Sequence, residues 1–171
     1  MLAVARGDLS AFGQVVTRHQ SAAWSAAYRF LGNAADAEDI AQEAFLRILD
    51  SADRYQPTAS FRTYLYRIVT RLSFDLSRRK RLRRHQQLPD LATNSSSPEG
   101  VFIRDERAAA VRQALDSLPA AQKMAVVLRY YEDLGYREIA AVLSTTDKGV
   151  ERLLARARAT LEDRLGGILE E

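Results

Sequence analysis

The chain contains no cysteine. Disulfides, thiol chemistry and cysteine zinc sites are therefore excluded. Histidine is nearly as scarce, with only His19 and His85. His19 accordingly reads as a partner in an interhelical hydrogen bond rather than as a metal ligand or acid–base group. No apolar run approaches the ~20 residues that span a bilayer, and no secretory signal precedes the first helix, so a soluble cytoplasmic protein is expected. No strand pattern, nucleophile–base pair, metal-ligand cluster or glycine-rich phosphate loop is visible. Neither an enzyme nor a cofactor is expected, and no small-molecule substrate.

What is present is helical periodicity and unevenly placed charge. At 171 residues the chain could form one domain or two small ones. The composition is globular, with 47% hydrophobic and 27% charged residues. Net charge is only +3 despite a pI near 9.4, so any basic binding surface must come from local concentration of cations.

The most informative stretch runs from Leu134 to Leu161. Ile139, Ala140 and Leu143 supply the buried side of a short helix. Val150, Leu153, Leu154, Ala157 and Leu161 make one stripe of a longer helix on a 3.6-residue period. Ser144 to Asp147 read as the turn between them, with Thr146 or Asp147 able to cap the second helix. Ala140 supplies the small residue needed where two steeply crossing helices touch. On the face opposite the stripe lie Lys148, Arg152 and Arg156, among small Ala155 and Ala159. A cationic face of low bulk can lie against a phosphate-lined groove, the arrangement of a DNA-binding helix-turn-helix. An ordinary helical hairpin with a solvated basic face has the same pattern.

Toward the N-terminus, Gly7 to Leu31 reads as a helix capped by Asp8 and ended by Gly32-Asn33. Its expected apolar face is Leu9, Phe12, Val15, Val16, Trp24, Ala27 and Tyr28. The second helix, 35–51, is two-sided: Ala37, Ala41, Ala44, Phe45, Ile48 and Leu49 oppose Asp36, Asp39, Glu43 and Asp50. Between residues 32 and 53 there are six acids and a single base, Arg47. The helix dipole accounts for acids in the first turn, but not for Glu43 and Asp50, nor for Gln42 and Leu46 beside them. Such a stripe suits docking to a basic protein partner.

Residues 53–60 read as a loop broken by Pro57, with Ser60 capping a third helix from Phe61 to about Arg84. Nine cations lie between Arg62 and Arg84 against one acid, Asp75, and six of them fall within Arg78–Arg84. Phe61, Tyr64, Tyr66 and Phe74 are interleaved. Cations with aromatics suit single-stranded or melting DNA, although core packing is the commoner fate of such rings; Phe61 and Tyr64 are the candidates for bases. Residues 86–104, with LPDLATNSSSPEG, carry no period and read as a flexible linker. Helices 105–117 and 120–131 follow, separated by Leu118-Pro119.

Together these residues resemble the extracytoplasmic-function (ECF) group of bacterial sigma factors. The likeness rests on Asp36-Ala37-Glu38-Asp39, Gln42-Glu43, Phe45-Leu46, Ser60-Phe61, Asp75 and Arg78-Arg79 in the first half. In the second it rests on Leu118-Pro119, Leu128-Arg129-Tyr130-Tyr131, Glu138-Ile139-Ala140, Val150 and Arg156-Ala157-Arg158. It implies an all-α protein of two small domains: a region 2-like domain over 1–85, linker 86–104, and a region 4-like helix-turn-helix domain over 105–171. It further implies that Asp36, Asp39, Gln42, Glu43 and Leu46 grip the clamp helices of the largest subunit of core RNA polymerase. Ser60, Phe61, Arg62, Tyr64, Arg78 and Arg79 would read and open the promoter's −10 element. Thr146, Lys148, Arg152 and Arg156 would read the −35 element, with the C-terminal domain also touching the polymerase flap.

An anti-sigma protein is the implied restraint, with sequestration at the inner membrane face if that protein is membrane-bound. Tyr64 stands where the family often has tryptophan, and Thr70 where asparagine is common. Glu151-Arg152-Leu153 replaces the usual Lys-Ser-Arg, so the promoter sequence cannot be read off. A conventional helix-turn-helix repressor or activator, or an adaptor using only Arg78–Arg84, are the competing functions.

Overall fold

The computed structural model describes residues 1–56, 58–86 and 104–166. Pro57 and most of the 86–104 linker therefore lie outside the described residues. Seven α-helices make up the described fold, with no strand among those residues: α1 (Leu9–Leu31), α2 (Ala34–Asp50), α3 (Phe61–Gln86), α4 (Arg104–Asp116), α5 (Ala120–Val126), α6 (Tyr136–Leu143) and α7 (Asp147–Leu165).

The helix ends follow from local chemistry. The Asp8 carboxylate accepts from Ala11 N–H at 2.9 Å, satisfying a free donor in the first turn of α1. At the other end Gly32 takes φ 72° and donates its N–H to the Tyr28 carbonyl, a left-handed stop that glycine adopts without steric penalty. Asn33 then caps α2 through Asp36 N–H at 2.9 Å, so two residues turn the chain from one helix into the next.

α1 and α2 pack through alanines. Ala23, Ala26 and Ala27 of α1 and Ala37, Ala41 and Ala44 of α2 are all buried, and small side chains let the backbones approach closely. This changes part of the apolar face expected for α1: Ala27 is buried and Phe12, Val15 and Val16 pack against the core, but the larger residues at its edges do not. Leu9 is 69% exposed, and Trp24 and Tyr28 are also exposed, because the close alanine contact leaves no room for large rings between the helices. Phe30, absent from the expected set, is buried instead.

Two further expectations change. The 53–60 segment opens with a 3-10 turn, Ala52–Arg54, before it becomes irregular. The 120–131 helix is α only to Val126 and continues as a π-helical turn, Val127–Tyr131. That turn is followed by Asp133 at φ 51°.

The two halves share one core. Leu65, Tyr66, Val69 and Leu72 of α3 belong to the same buried cluster as Met124, Leu128, Ile139, Val142 and Val150 of the C-terminal half. α3 lies against α6, and the N-terminal bundle also touches the π-helical turn. Val142 is buried while Leu143, expected inside, is half-buried. A helix packed on two sides buries more than the single stripe its hairpin partner requires.

Candidate docking and nucleic-acid interfaces

The acidic helix α2 presents its predicted stripe at the surface beside an apolar groove. Leu46 is 56% exposed. It borders a groove between α1 and α2 whose other walls include Phe12, Val16, Trp24, Gln42 and Phe45. The Trp24 and Tyr28 rings stack at 4.9 Å and 8°, so the exposed aromatics form one flat plate rather than separate contacts. Asp39 and Gln42 are exposed; Glu43 pairs with Arg47 at 2.7 Å. Asp36 does not join them. Its carboxylate is only 18% exposed and is ion-paired with Lys80 of α3. The stripe available to a partner is thus Asp39, Gln42, Glu43 and Leu46, with Asp36 serving the bundle.

At the start of α3, Ser60 accepts from Thr63 N–H at 3.1 Å, the expected cap. Phe61 packs on His19 with ring centroids 4.9 Å apart. The interhelical contact of His19 is therefore a ring contact in place of the expected hydrogen bond. Burial, then the cations of Arg18 and Arg62, push the His19 pKa down. Tyr64 is half-buried, its hydroxyl 3.0 Å from Ser51 Oγ and its ring edge-on to Tyr55. Arg62 Nη2 donates to the Glu132 carbonyl in the C-terminal half. Arg78 pairs with Asp75 at 3.1 Å, and Arg79 is exposed. Phe61 and Arg79 stand about 27 Å apart along the helix, at 1.5 Å per residue. The predicted residues are thus spread along the length of α3 rather than gathered in a single pocket.

The helix-turn-helix is α6, the turn 144–146 and α7. Ser144 occupies the left-handed region at φ 53°. Of the two possible caps the chain uses Thr146, whose hydroxyl accepts from Gly149 N–H at 3.1 Å. The closest approach falls at Gly149, which sequence reasoning passed over. A β-carbon there would overlap Thr145 Oγ1. Lys148, Arg152 and Arg156 are all exposed at four-residue spacing on one face, while Val150, Leu154 and Ala157 are buried on the other. The arrangement presents three cations on one exposed face of α7, with small Ala155 and Ala159 and the acid Glu151 beside them.

The sequence matches the family model of sigma-70 region 2 over residues 15–83 and that of sigma-70 region 4 over residues 108–161. It is 30% identical over 173 residues to the ECF RNA polymerase sigma factor SigW of Bacillus subtilis, covering 95% of this chain and 92% of SigW. The chain belongs to the extracytoplasmic-function sigma factors. ECF sigma factor SigE of Mycolicibacterium smegmatis is 36% identical over 168 residues, covering 94% of this sigma factor and 65% of SigE. This sigma factor therefore spans a little under two thirds of that relative's length. Among solved structures, CnrH in complex with the cytosolic domain of CnrY aligns at 30% identity and a TM-score of 0.73, covering 96% of this chain and 94% of CnrH.

Sequence reasoning about this sigma factor missed the residues that join its halves. Lys123 is 7% exposed and donates to the Phe30 carbonyl at 2.5 Å and to Asp116 at 2.6 Å. Glu132 is 7% exposed and accepts from the Tyr66 hydroxyl. A lone charge within the AAQKMAVV run was the one available signal. A charge inside a buried periodic segment needs a partner, though no pattern says from which helix.

Proposed function

We propose that this protein binds core RNA polymerase and directs promoter-specific initiation of transcription. The observation that carries this is the presence in one chain of two surfaces: the stripe of exposed Asp39, Gln42 and Leu46 with half-buried Glu43, and the Lys148–Arg152–Arg156 face of a helix-turn-helix. A regulator that only binds DNA needs the second and has no use for the first.

In this reading the N-terminal domain, 1–85, docks its acidic stripe and the neighbouring apolar groove on the clamp helices of the largest subunit. Ser60, Phe61, Arg62, Tyr64, Arg78 and Arg79 track the −10 strand, with rings for unstacked bases and guanidiniums for phosphates. The C-terminal domain, 105–171, reads the −35 element through Thr146, Lys148, Arg152 and Arg156 and touches the polymerase flap. An anti-sigma protein restrains the factor in the cytoplasm or at the inner membrane face, a reading supported by CnrH having been solved with a second protein's cytosolic domain. No helix among the described residues is long and apolar enough to cross a membrane.

The test is run-off transcription with core polymerase, with and without the protein, on templates carrying candidate promoters. Protein-dependent transcripts from defined start sites are expected. Promoter binding with no transcripts would replace this reading with that of a conventional regulator.

A further inference from the structure

α3 carries cations beyond those assigned to the −10 element. Arg67 and Arg71 share one face of the helix with Phe74 and Arg78, each three or four residues from the next. All three arginines are exposed. They line a cleft of about 490 Å³ whose other wall is Val142, Leu143 and Ser144 at the end of α6. Phe74, Leu143 and Ser144 also line a second cleft, of about 480 Å³, which carries Arg152 and Arg156 of α7. Two helices far apart in sequence thus set five guanidiniums around adjoining clefts that share a wall.

Charge here is unbalanced. Asp75 is the one carboxylate among the lining residues, and it is paired with Arg78 at 3.1 Å. Arg67 donates its Nε–H to the Ala141 carbonyl at 3.2 Å, which leaves its two Nη groups. The guanidiniums of Arg71, Arg152 and Arg156 have no hydrogen bond or ion pair with another described residue. Like charges gathered in a cleft focus a positive potential that draws anions, and the planar fork of arginine matches phosphate oxygens two at a time. A second observation comes from Thr70, which lines the same cleft. It is 4% exposed, and its hydroxyl has no partner among the described residues. A buried hydroxyl left so calls for a ligand, an ion or a water.

We propose that these clefts bind a nucleoside polyphosphate, its phosphates on the arginines of α3 and α7 and its base on the apolar junction at Phe74. That junction is what selects a nucleotide over a bare anion: Phe74 is half-buried, with Leu143 and Leu153 beside it. Each cleft falls within the ~300–1,000 Å³ of small-molecule sites. Arg152 and Arg156 belong to the −35 face as well, so nucleotide and −35 duplex compete for the same guanidiniums. This consequence rests on the promoter-reading function above. Each ligand then weakens the other by the same factor.

The experiment titrates the full chain with GTP, ATP and inorganic tripolyphosphate in a calorimeter. One equivalent of nucleotide should bind, about tenfold tighter than tripolyphosphate because the base adds a stacking contact. Arg71→Gln removes a cation from α3 and none from α7. It should weaken nucleotide binding about tenfold and leave affinity for a −35 duplex unchanged when nucleotide is absent. At constant ionic strength GTP should displace the −35 duplex from the wild type, and displacement from Arg71→Gln should need about ten times more GTP. Arg67→Gln, on the same face, should act in the same direction and carries the test if Arg71→Gln fails to fold. Tripolyphosphate binding as tightly as GTP would overturn the nucleotide as the ligand. Absence of saturable binding by any probe would overturn the site. So would equal displacement from wild type and both variants, which is mere polyanion competition on α7. Protein-dependent run-off transcription in those cases leaves the sigma function standing. If the chain binds no −35 duplex and supports no transcription, while nucleotide binding still responds to Arg71→Gln, the site stands and the promoter-reading function falls.

Discussion

Asp36 on α2 is ion-paired with Lys80 on α3, although the sequence places Asp36 at the head of an acidic stripe that runs along the outside of α2. One turn of a helix carries successive carboxylates through a wide arc, so the first member of the stripe faces the bundle while later ones face solvent. Asp36→Asn should therefore weaken polymerase association less than a change at Asp39 or Glu43. Its effect on thermal stability should be small, within about 1 kcal/mol, because Lys80 is half exposed and water screens the pair. A co-elution assay with core polymerase, alongside thermal melts, ranks the three positions.

Reversing Asp39 and Glu43 together to lysine should abolish association with core polymerase and leave the helical circular dichroism spectrum intact. Asp39 is exposed, and Glu43 gives up only its pair with Arg47 on the same helix, an interaction of about 0.3–0.5 kcal/mol. At an interface each truncated charge pair costs about 2–5 kcal/mol. Co-elution at the wild-type level would remove α2 from the docking surface.

Elements and caps were legible because they are set by neighbours in sequence. Asp8, Gly32, Ser60 and Thr146 each end or start a helix as their chemistry requires. The α7 stripe was legible for the same reason, since period and burial coincide on a helix packed on one side. Part of the α1 face was misread because hydrophobicity ranks Leu9, Trp24 and Tyr28 above alanine, while close helix packing selects alanine. Gly149 was overlooked because its constraint is the nearness of Thr145, invisible to any period. The seam was hidden for a deeper reason. Tyr66–Glu132 and Lys123–Phe30 join residues 66 and 93 positions apart, and nothing local to either partner names the other.

Acid should destabilise this protein partly through His19. Its folded pKa lies below the ordinary value of about 6.5, so the unfolded chain binds the proton first as pH falls. Stability from this group is intact above about pH 6.5, declines as pH drops toward the folded pKa, and then levels off. Melting of wild type and His19→Gln between about pH 7.5 and pH 5 should show the steeper loss in the wild type. Parallel curves would mean that His19 titrates as it does in the unfolded chain.

At Gly149 the size of the side chain, rather than backbone freedom, should decide stability. A β-carbon there meets Thr145 Oγ1, a clash that rotation of the exposed threonine hydroxyl relieves. Alanine also gains about 1 kcal/mol of helix propensity over glycine, so Gly149→Ala should be nearly neutral. Valine adds two γ-carbons that press on the turn, and Gly149→Val should lose about 1–3 kcal/mol. Chemical denaturation of both variants checks the ordering.

Arg152→Ala distinguishes a base-reading side chain from one that only holds phosphate. Arg152 is exposed in the middle of the Lys148–Arg152–Arg156 face, one turn from each neighbour. If Arg152 reads a base, its truncation should cost about 1–3 kcal/mol on the cognate −35 element and relax the preference at one or two base pairs. Non-specific affinity should change little. Lys148→Ala is the control, since a lysine at the edge of the face suits a phosphate. It should weaken cognate and unrelated DNA alike and reduce the salt dependence of binding by about one counterion. Both measurements belong on the complex with core polymerase, the form that initiates transcription in the proposed function. Equal losses on all sequences for Arg152→Ala would make it a phosphate clamp and move base reading to Thr146 or Arg156. An unchanged preference and unchanged affinity would show that a different face of α7 meets the DNA.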